Sequence, residues 1–160
     1  MRHDENDLQW MHLALEEARR ARAEEEIPVG AVFVRDGELV ARVRNNCERL
    51  RDPTAHAEML GIRRACETLV TQRLTGVEVF VTKEPCAMCA GALVHARIAR
   101  LIVGARDEKA GACGTVLRII AHERLNHRVP VTFGVLEEEC SRLLRDFFRV
   151  RRNRPEGNTR

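Results

Sequence analysis

Between Asp7 and Glu26 apolar side chains return at Leu8, Met11, Leu15 and Ala18, while Glu16, Glu17, Arg19, Arg20 and Arg22 occupy much of the remainder. Spacings of three and four predict an amphipathic first helix, stopped by Pro28. Val29 to Val34 then reads as a buried strand, turned by Asp36-Gly37 into a second strand around Leu39 to Val43. After a polar loop over 44–53, Asp52-Pro53-Thr54 supplies a helix start with Asp52 or Thr54 as cap. Alanine, leucine and isoleucine continue at helical positions from Ala55 to about Val70. Val77 to Thr82 carries the β-branched and aromatic residues of a strand, and Glu84-Pro85 opens a helix through about His95. Ile98 to Val103 is the next strand. A glycine-rich loop from Gly104 to Gly114 leads to Thr115 to Ile120, read as a short helix. Val129 to Leu136 reads as the last strand and Glu137 to about Arg151 as the last helix.

Strands alternating with helices after an initial hairpin imply an α/β fold, a three-layer α/β/α sandwich around a central mixed five-stranded sheet. At 160 residues there is room for one core, so residues 1–152 are expected to form one domain and residues 153–160 a flexible, frayed tail. With 44% hydrophobic and 32% charged residues the chain is not of the disordered class, and no apolar run approaches the roughly 20 residues of a spanning helix. The start, MRHDENDLQW, lacks the basic-then-apolar order of a secretory signal, which predicts a cytoplasmic protein. In that compartment the six cysteines are expected to be reduced, and their spacing to mean metal or catalysis before disulfide.

The net charge of +3 is unevenly placed. Residues 1–26 hold eight acids against four arginines, whereas residues 141–160 hold seven arginines against Asp146 and Glu156. A basic end of this kind suits a polyanionic partner, and equally a solvated surface.

Three ligand-type residues stand at two helix starts: His56 in Thr54-Ala55-His56-Ala57-Glu58, then Cys86 and Cys89 in Glu84-Pro85-Cys86-Ala87-Met88-Cys89. Cysteines three apart share one helix face, and a helix N-terminus favours the thiolate that binds zinc. One imidazole and two thiolates leave zinc a fourth position for water, as catalytic rather than structural sites do. Glu58 lies about 200° around a regular helix from His56, so one of the two is expected to be a ligand and the other to serve otherwise. A carboxylate beside an activated water suits proton transfer. A lone Cys-x-x-Cys has blander readings as a redox pair, a structural half-site or buried packing. The specific feature is the conjunction: His-x-Glu after a helix start, about thirty residues, then Pro-Cys-x-x-Cys, the signature of zinc nucleobase deaminases.

The match runs further. From about Met11 to Arg152 the chain resembles the bacterial tRNA-specific adenosine deaminases of the cytidine deaminase-like superfamily. The segments that carry the resemblance are Ile27-Pro28-Val29-Gly30-Ala31-Val32, Asn45 with Asp52 to Met59, Glu84 to Leu93, Gly104-Ala105-Arg106-Asp107, Asn126-His127-Arg128-Val129 and Asp146 to Arg152. The resemblance implies a homodimer that converts adenosine to inosine at the wobble position of a tRNA anticodon stem-loop, with arginine tRNA the expected substrate. It implies one zinc ion (Zn2+) per subunit on His56, Cys86 and Cys89, and Glu58 as the catalytic proton shuttle. Asn45 and the Ala57 backbone would hold the flipped nucleotide, with Val29, Gly30 and Ala31 lining the base pocket. Arg106, Asp107, Asn126, His127, Arg128, Phe148, Arg151 and Arg152 would face the anticodon loop.

Lys83 departs from the family, which usually has an apolar residue such as leucine there. Cys113, in the glycine-rich loop, reads as a small packing residue. Two other functions share parts of the pattern: a zinc deaminase of a free base or nucleoside, of guanine or cytosine type, and a non-catalytic RNA-binding subunit with structural zinc.

Overall fold

Asp4 accepts the Asn6 amide at 3.0 Å and so caps α1 (Glu5–Ala23). The computed structural model describes residues 3–155, so most of the expected tail, 156–160, lies outside the described residues. The helix ends short of the expected Glu26, because Glu25 takes a φ of 63° and the Glu26 amide bonds back to the Ala21 carbonyl at 2.9 Å. That reversal turns the Glu26 side chain into the protein, where it is buried. The hairpin follows as β1 (Gly30–Arg35) and β2 (Glu38–Arg44), with Asp36 and Gly37 at φ of 53° and 74°, the two positive values a type I′ turn requires.

The expected polar loop contains a short helix, α2 (Cys47–Leu50). Neither Asp52 nor Thr54 caps α3 (Ala57–Leu69). The cap position is His56, whose side chain makes no capping bond, while Asp52 accepts the Thr54 amide at 2.8 Å and its hydroxyl at 2.7 Å to close the preceding turn. There follow β3 (Val77–Lys83), α4 (Ala87–Ala96), β4 (Arg100–Ala105), β5 (Val131–Phe133) and α5 (Glu137–Arg152).

The five strands form one sheet in the order β2-β1-β3-β4-β5. β1 pairs antiparallel with β2 and β3, and β3, β4 and β5 run parallel, so the sheet is mixed as expected. Alternate residues sort to two cores. Phe33, Val79, Val81, Leu101 and Val103 face α3 and α4, while Val32, Val34, Phe80 and Ile102 face α1 and α5. This gives the three layers. Gly30 permits a close approach of α1 to the sheet: a Cβ there would run into the Ala14 carbonyl oxygen and the Ala18 nitrogen of α1.

Two further elements differ from expectation. Thr115 to Ile120 is not a helix but a folded loop, bridged between Cys113 and Arg118. Gly114 stands at a φ of 139°, outside the helical region, and the Cys113 and Thr115 amides are held by the Glu84 carboxylate. β5 is also shorter than Val129 to Leu136, since Gly134 and Leu136 take φ of 87° and 54° and bend the chain into α5.

Candidate metal centre and active-site cleft

The starts of α3 and α4 meet where β1 begins and β3 ends, and the three ligand-type side chains meet with them. The His56 Nδ1 lies 3.4 Å from the Cys89 Sγ and 3.7 Å from the Cys86 Sγ. The three ligand atoms all fall within 4.8 Å of one another, and no other group among the described residues gathers three such donors. His56 and Cys86 are both N-cap residues with extended backbone, so each precedes its helix; the helical-wheel angle between His56 and Glu58 does not apply. Glu58 is separated from the ligand set by being inside α3 while His56 is outside it. Pro85 likewise precedes the α4 cap instead of occupying its first turn.

The electrostatics are those of a donor set short of positive charge. Hydrogen bonding from Cys89 and then His56 holds the Cys86 thiol well below its ordinary value, while the same contact to Cys86, with burial, drives Cys89 up. Hydrogen bonding to Cys86 raises the His56 imidazole. One of the three ligand atoms, the Cys86 sulfur, is thus proton-poor, and a divalent cation would satisfy all three together. Soft sulfur with imidazole nitrogen in a three-ligand set fits zinc.

Glu58 is buried, and burial pushes its carboxyl above the ordinary value, against an opposing pull from Cys89. It opens onto a cleft lined also by Ile27, Val29, Asn45, Cys47, Glu48, Lys83 and Asp107. Asn45 is buried, accepts from the Cys47 thiol at 3.4 Å and donates to Glu26 at 3.5 Å. Ala57 is the first residue of α3, so its N–H is one of the free first-turn amides. Val29 lines the cleft. Gly30 and Ala31 do not: Gly30 presents its Cα to α1, and Ala31 is wholly buried in the core beside Phe33.

Arg106, Asp107, Phe148 and Arg152 line a broad groove that adjoins the cleft at Lys83 and Asp107. The Arg106 guanidinium stacks 3.8 Å over the Phe133 ring. Arg151 borders a second groove that reaches the cleft at Glu48. Asn126 and His127 lie apart, in a groove with Gly91, His95 and Arg97, where the His127 Nε2 is 2.8 Å from the Ile98 carbonyl oxygen. Arg128, next to them, binds the Glu123 carbonyl. A single chain therefore does not bring residues 126–128 to the cleft.

Two buried carboxylates escaped sequence reasoning. Glu26 accepts the Glu48 and Arg49 amides at 3.1 and 2.8 Å and so anchors α2 over the cleft. It stood last in a run of three glutamates, with no pattern to single it out. Glu84 accepts the Asp107, Cys113 and Thr115 amides at 3.0, 3.1 and 3.1 Å and the Thr115 hydroxyl at 2.6 Å. Gly111 makes room, since a Cβ there would meet this carboxylate. Its place between strand end and Pro85 was visible in the sequence; its partners were not. Cys113 packs with its thiol 3.9 Å from the Pro85 carbonyl, outside the ligand set.

Similarity to known proteins agrees with this geometry. Residues 5–152 match the family model of MafB19-like deaminases. The chain is 46% identical over 148 residues to the tRNA-specific adenosine deaminase of Bacillus subtilis, covering 92% of each protein. A structure from a study of A-to-I editing by tRNA:A34 deaminases at the wobble position superposes with a TM-score of 0.82 at 46% identity, covering 85% of this chain and 99% of that one. The guanine deaminase of Nitrosomonas europaea shares the fold at a TM-score of 0.74 and 27% identity, covering 88% and 83%. With a near full-length relative at this identity and the His-Cys-Cys centre in place, the chain belongs to the tRNA-specific adenosine deaminase family.

Proposed function

We propose that the protein hydrolyses adenosine to inosine at the wobble position of a tRNA anticodon, with arginine tRNA as substrate. The observation that carries this is the convergence of His56, Cys86 and Cys89 on one point beside the buried Glu58, in a chain 46% identical to a tRNA-specific adenosine deaminase. His56 Nδ1 and the two sulfurs would hold zinc, which when bound supplies an acidified water. Glu58, whose carboxyl burial raises above its ordinary value, suits both halves of the proton traffic: it passes one proton from the water to adenine N1, then a second, from the new C6 hydroxyl, to the amino group that leaves as ammonia. Asn45 and the Ala57 amide provide a donor, an acceptor and a fixed backbone N–H for the nucleotide flipped out of the loop. The grooves bearing Arg106, Phe148, Arg151 and Arg152 offer cations and an exposed ring to the RNA.

The enzyme acts as a homodimer on this proposal. Asn126, His127 and Arg128 belong to a different face from the cleft, and a second copy would bring them to the same RNA. Val116, Leu117 and Leu125, each more than 40% exposed, are the apolar residues such a contact would cover. No helix among the described residues is long and apolar enough to cross a membrane, and a tRNA substrate keeps the reaction in the cytoplasm.

Purified zinc-loaded protein should convert wobble adenosine in an arginine tRNA to inosine, read by sequencing, and Glu58→Ala should lower the rate about 100-fold or more with zinc content retained. Equal inertness of both proteins on this RNA, with ammonia released from free guanine instead, would overturn the assignment.

A further inference from the structure

Lys83 is the residue whose chemistry the proposed reaction leaves unused. It ends β3, paired in register with Ala105 of the parallel β4, so it and the loop carrying Asp107 emerge together at the carboxyl ends of parallel strands, where α/β sheets bind ligands. Its Nζ is 3.2 Å from the Asp107 Oδ2, with the two side chains 28% and 13% exposed. Lys83 and Asp107 line both the cleft that holds His56 and Glu58 and the groove that holds Arg106, Arg145, Arg149 and Arg152. Among the residues lining the cleft Lys83 is the one lysine or arginine, opposed by Glu26, Glu48, Glu58, Glu84 and Asp107.

That balance is unfavourable to an RNA strand. A nucleoside can enter the cleft only if its flanking phosphodiesters pass the rim, where the Glu48 and Asp107 carboxylates repel them while Glu26, Glu58 and Glu84 lie buried beneath. Asp107 does not depend on Lys83 for satisfaction. Burial pushes its carboxyl up, but the Lys109 and Ala110 amides at 3.0 and 3.2 Å, with Lys83, hold it below its ordinary value. An ammonium has three donors, and Asp107 is the one ion-pair partner of Lys83 among the described residues, so donors remain for a phosphate oxygen.

We propose that Lys83 is a positioning and specificity residue that grips a phosphodiester flanking the adenosine at the cleft mouth, held ready for it by Asp107. The proposal rests on an RNA strand being the substrate. A lysine in this place favours polynucleotide over free base, since a free base brings no phosphate to the cleft mouth.

The test uses zinc-loaded protein and an anticodon stem-loop with adenosine at the wobble position. Binding is followed by fluorescence anisotropy across a salt series, and inosine formation is followed in parallel. Lys83→Met keeps the length and loses the charge. It should weaken binding about tenfold or more, flatten the salt slope by about 0.7 and place the loss in KM more than in kcat, with Lys83→Arg restoring most of the affinity and slope. A methylphosphonate at the flanking linkages should reproduce the loss in wild type and add nothing to Lys83→Met. Unchanged affinity and slope would overturn the proposal, as would additive losses. It is equally overturned if Lys83→Met weakens binding without altering the slope and has no effect in an Asp107→Asn background, because the lysine would then only prop the loop. Binding that depends on Lys83 without any inosine would refute the wobble reaction and leave this contact standing. Inosine formation with an unaltered slope would do the reverse.

Discussion

Replacing Glu84 by glutamine should damage the protein out of proportion to the single atom changed. All four partners of this buried carboxylate are donors, two on each oxygen: Cys113 N–H and Thr115 N–H on Oε1, Asp107 N–H and the Thr115 hydroxyl on Oε2. A glutamine has one oxygen. Its best choice is to keep that oxygen at Oε1 and place the NH2 at Oε2, where the Thr115 hydroxyl can turn to accept but the Asp107 N–H cannot. An unsatisfied buried donor costs about 1–3 kcal/mol, and the two remaining amide bonds, no longer charge-assisted, weaken by about 1 kcal/mol each. Relief from burying a charge offsets part of this, leaving a net loss of about 2 kcal/mol or more. With a urea m-value of about 2 kcal/mol/M for a domain of this size, the unfolding midpoint should fall by about 1 M. Amide exchange should quicken at Asp107, Cys113 and Thr115 before it does elsewhere. A midpoint shift under about 0.3 M, which at that m-value is about 0.6 kcal/mol, with native zinc content, would show that the carboxylate does not hold the loop.

In protein stripped of metal, Cys86 should be alkylated by iodoacetamide at a rate nearly flat from pH 6 to 8, because its lowered pKa leaves it thiolate throughout; an ordinary thiol would speed up about tenfold per pH unit below its pKa of roughly 8.5. Added zinc should protect it, and Cys140, buried with its thiol pushed up to about 12, should stay unlabelled in the native state; a Cys86 rate that climbs like an ordinary thiol's would refute the lowering of its thiol by Cys89 and His56. Gly30→Ala should lower Tm by about 4–10 °C, since the new methyl meets backbone atoms of α1 instead of a side chain that can swing away; a fall of less than about 2 °C would mean that α1 slides freely on the sheet.

Local signals made most of the fold legible. Asp36-Gly37 fits a type I′ turn by residue type alone, and near-continuous apolar runs along β1 and β4, with the β-branched and aromatic residues of β3, mark strands with two covered faces. Thr115 to Ile120 misled because apolar residues in a short window fit a helix as well as a folded loop, and the deciding partner, Glu84, lies more than 25 residues upstream. The early end of α1 had a similar cause. Glu24 to Glu26 are good helix formers, and only the chain reversal at Glu25 and the waiting Glu48 and Arg49 amides make Glu26 a buried anchor.

The sequence by itself determined the ligand types and their spacing, His56 with Cys86 and Cys89, and the family to which these belong, because short-range chemistry is written in adjacent residues. It also singled out Glu58 as the carboxylate expected beside them. Tertiary structure alone decided that His56 and Cys86 stand as helix caps, that Glu26 and Glu84 brace the cleft, and that residues 126–128 lie on another face. It also placed Lys83 opposite Asp107 at the cleft rim, where an otherwise unexplained lysine can meet a phosphate. These outcomes depend on contacts between segments distant along the chain, which no local pattern encodes.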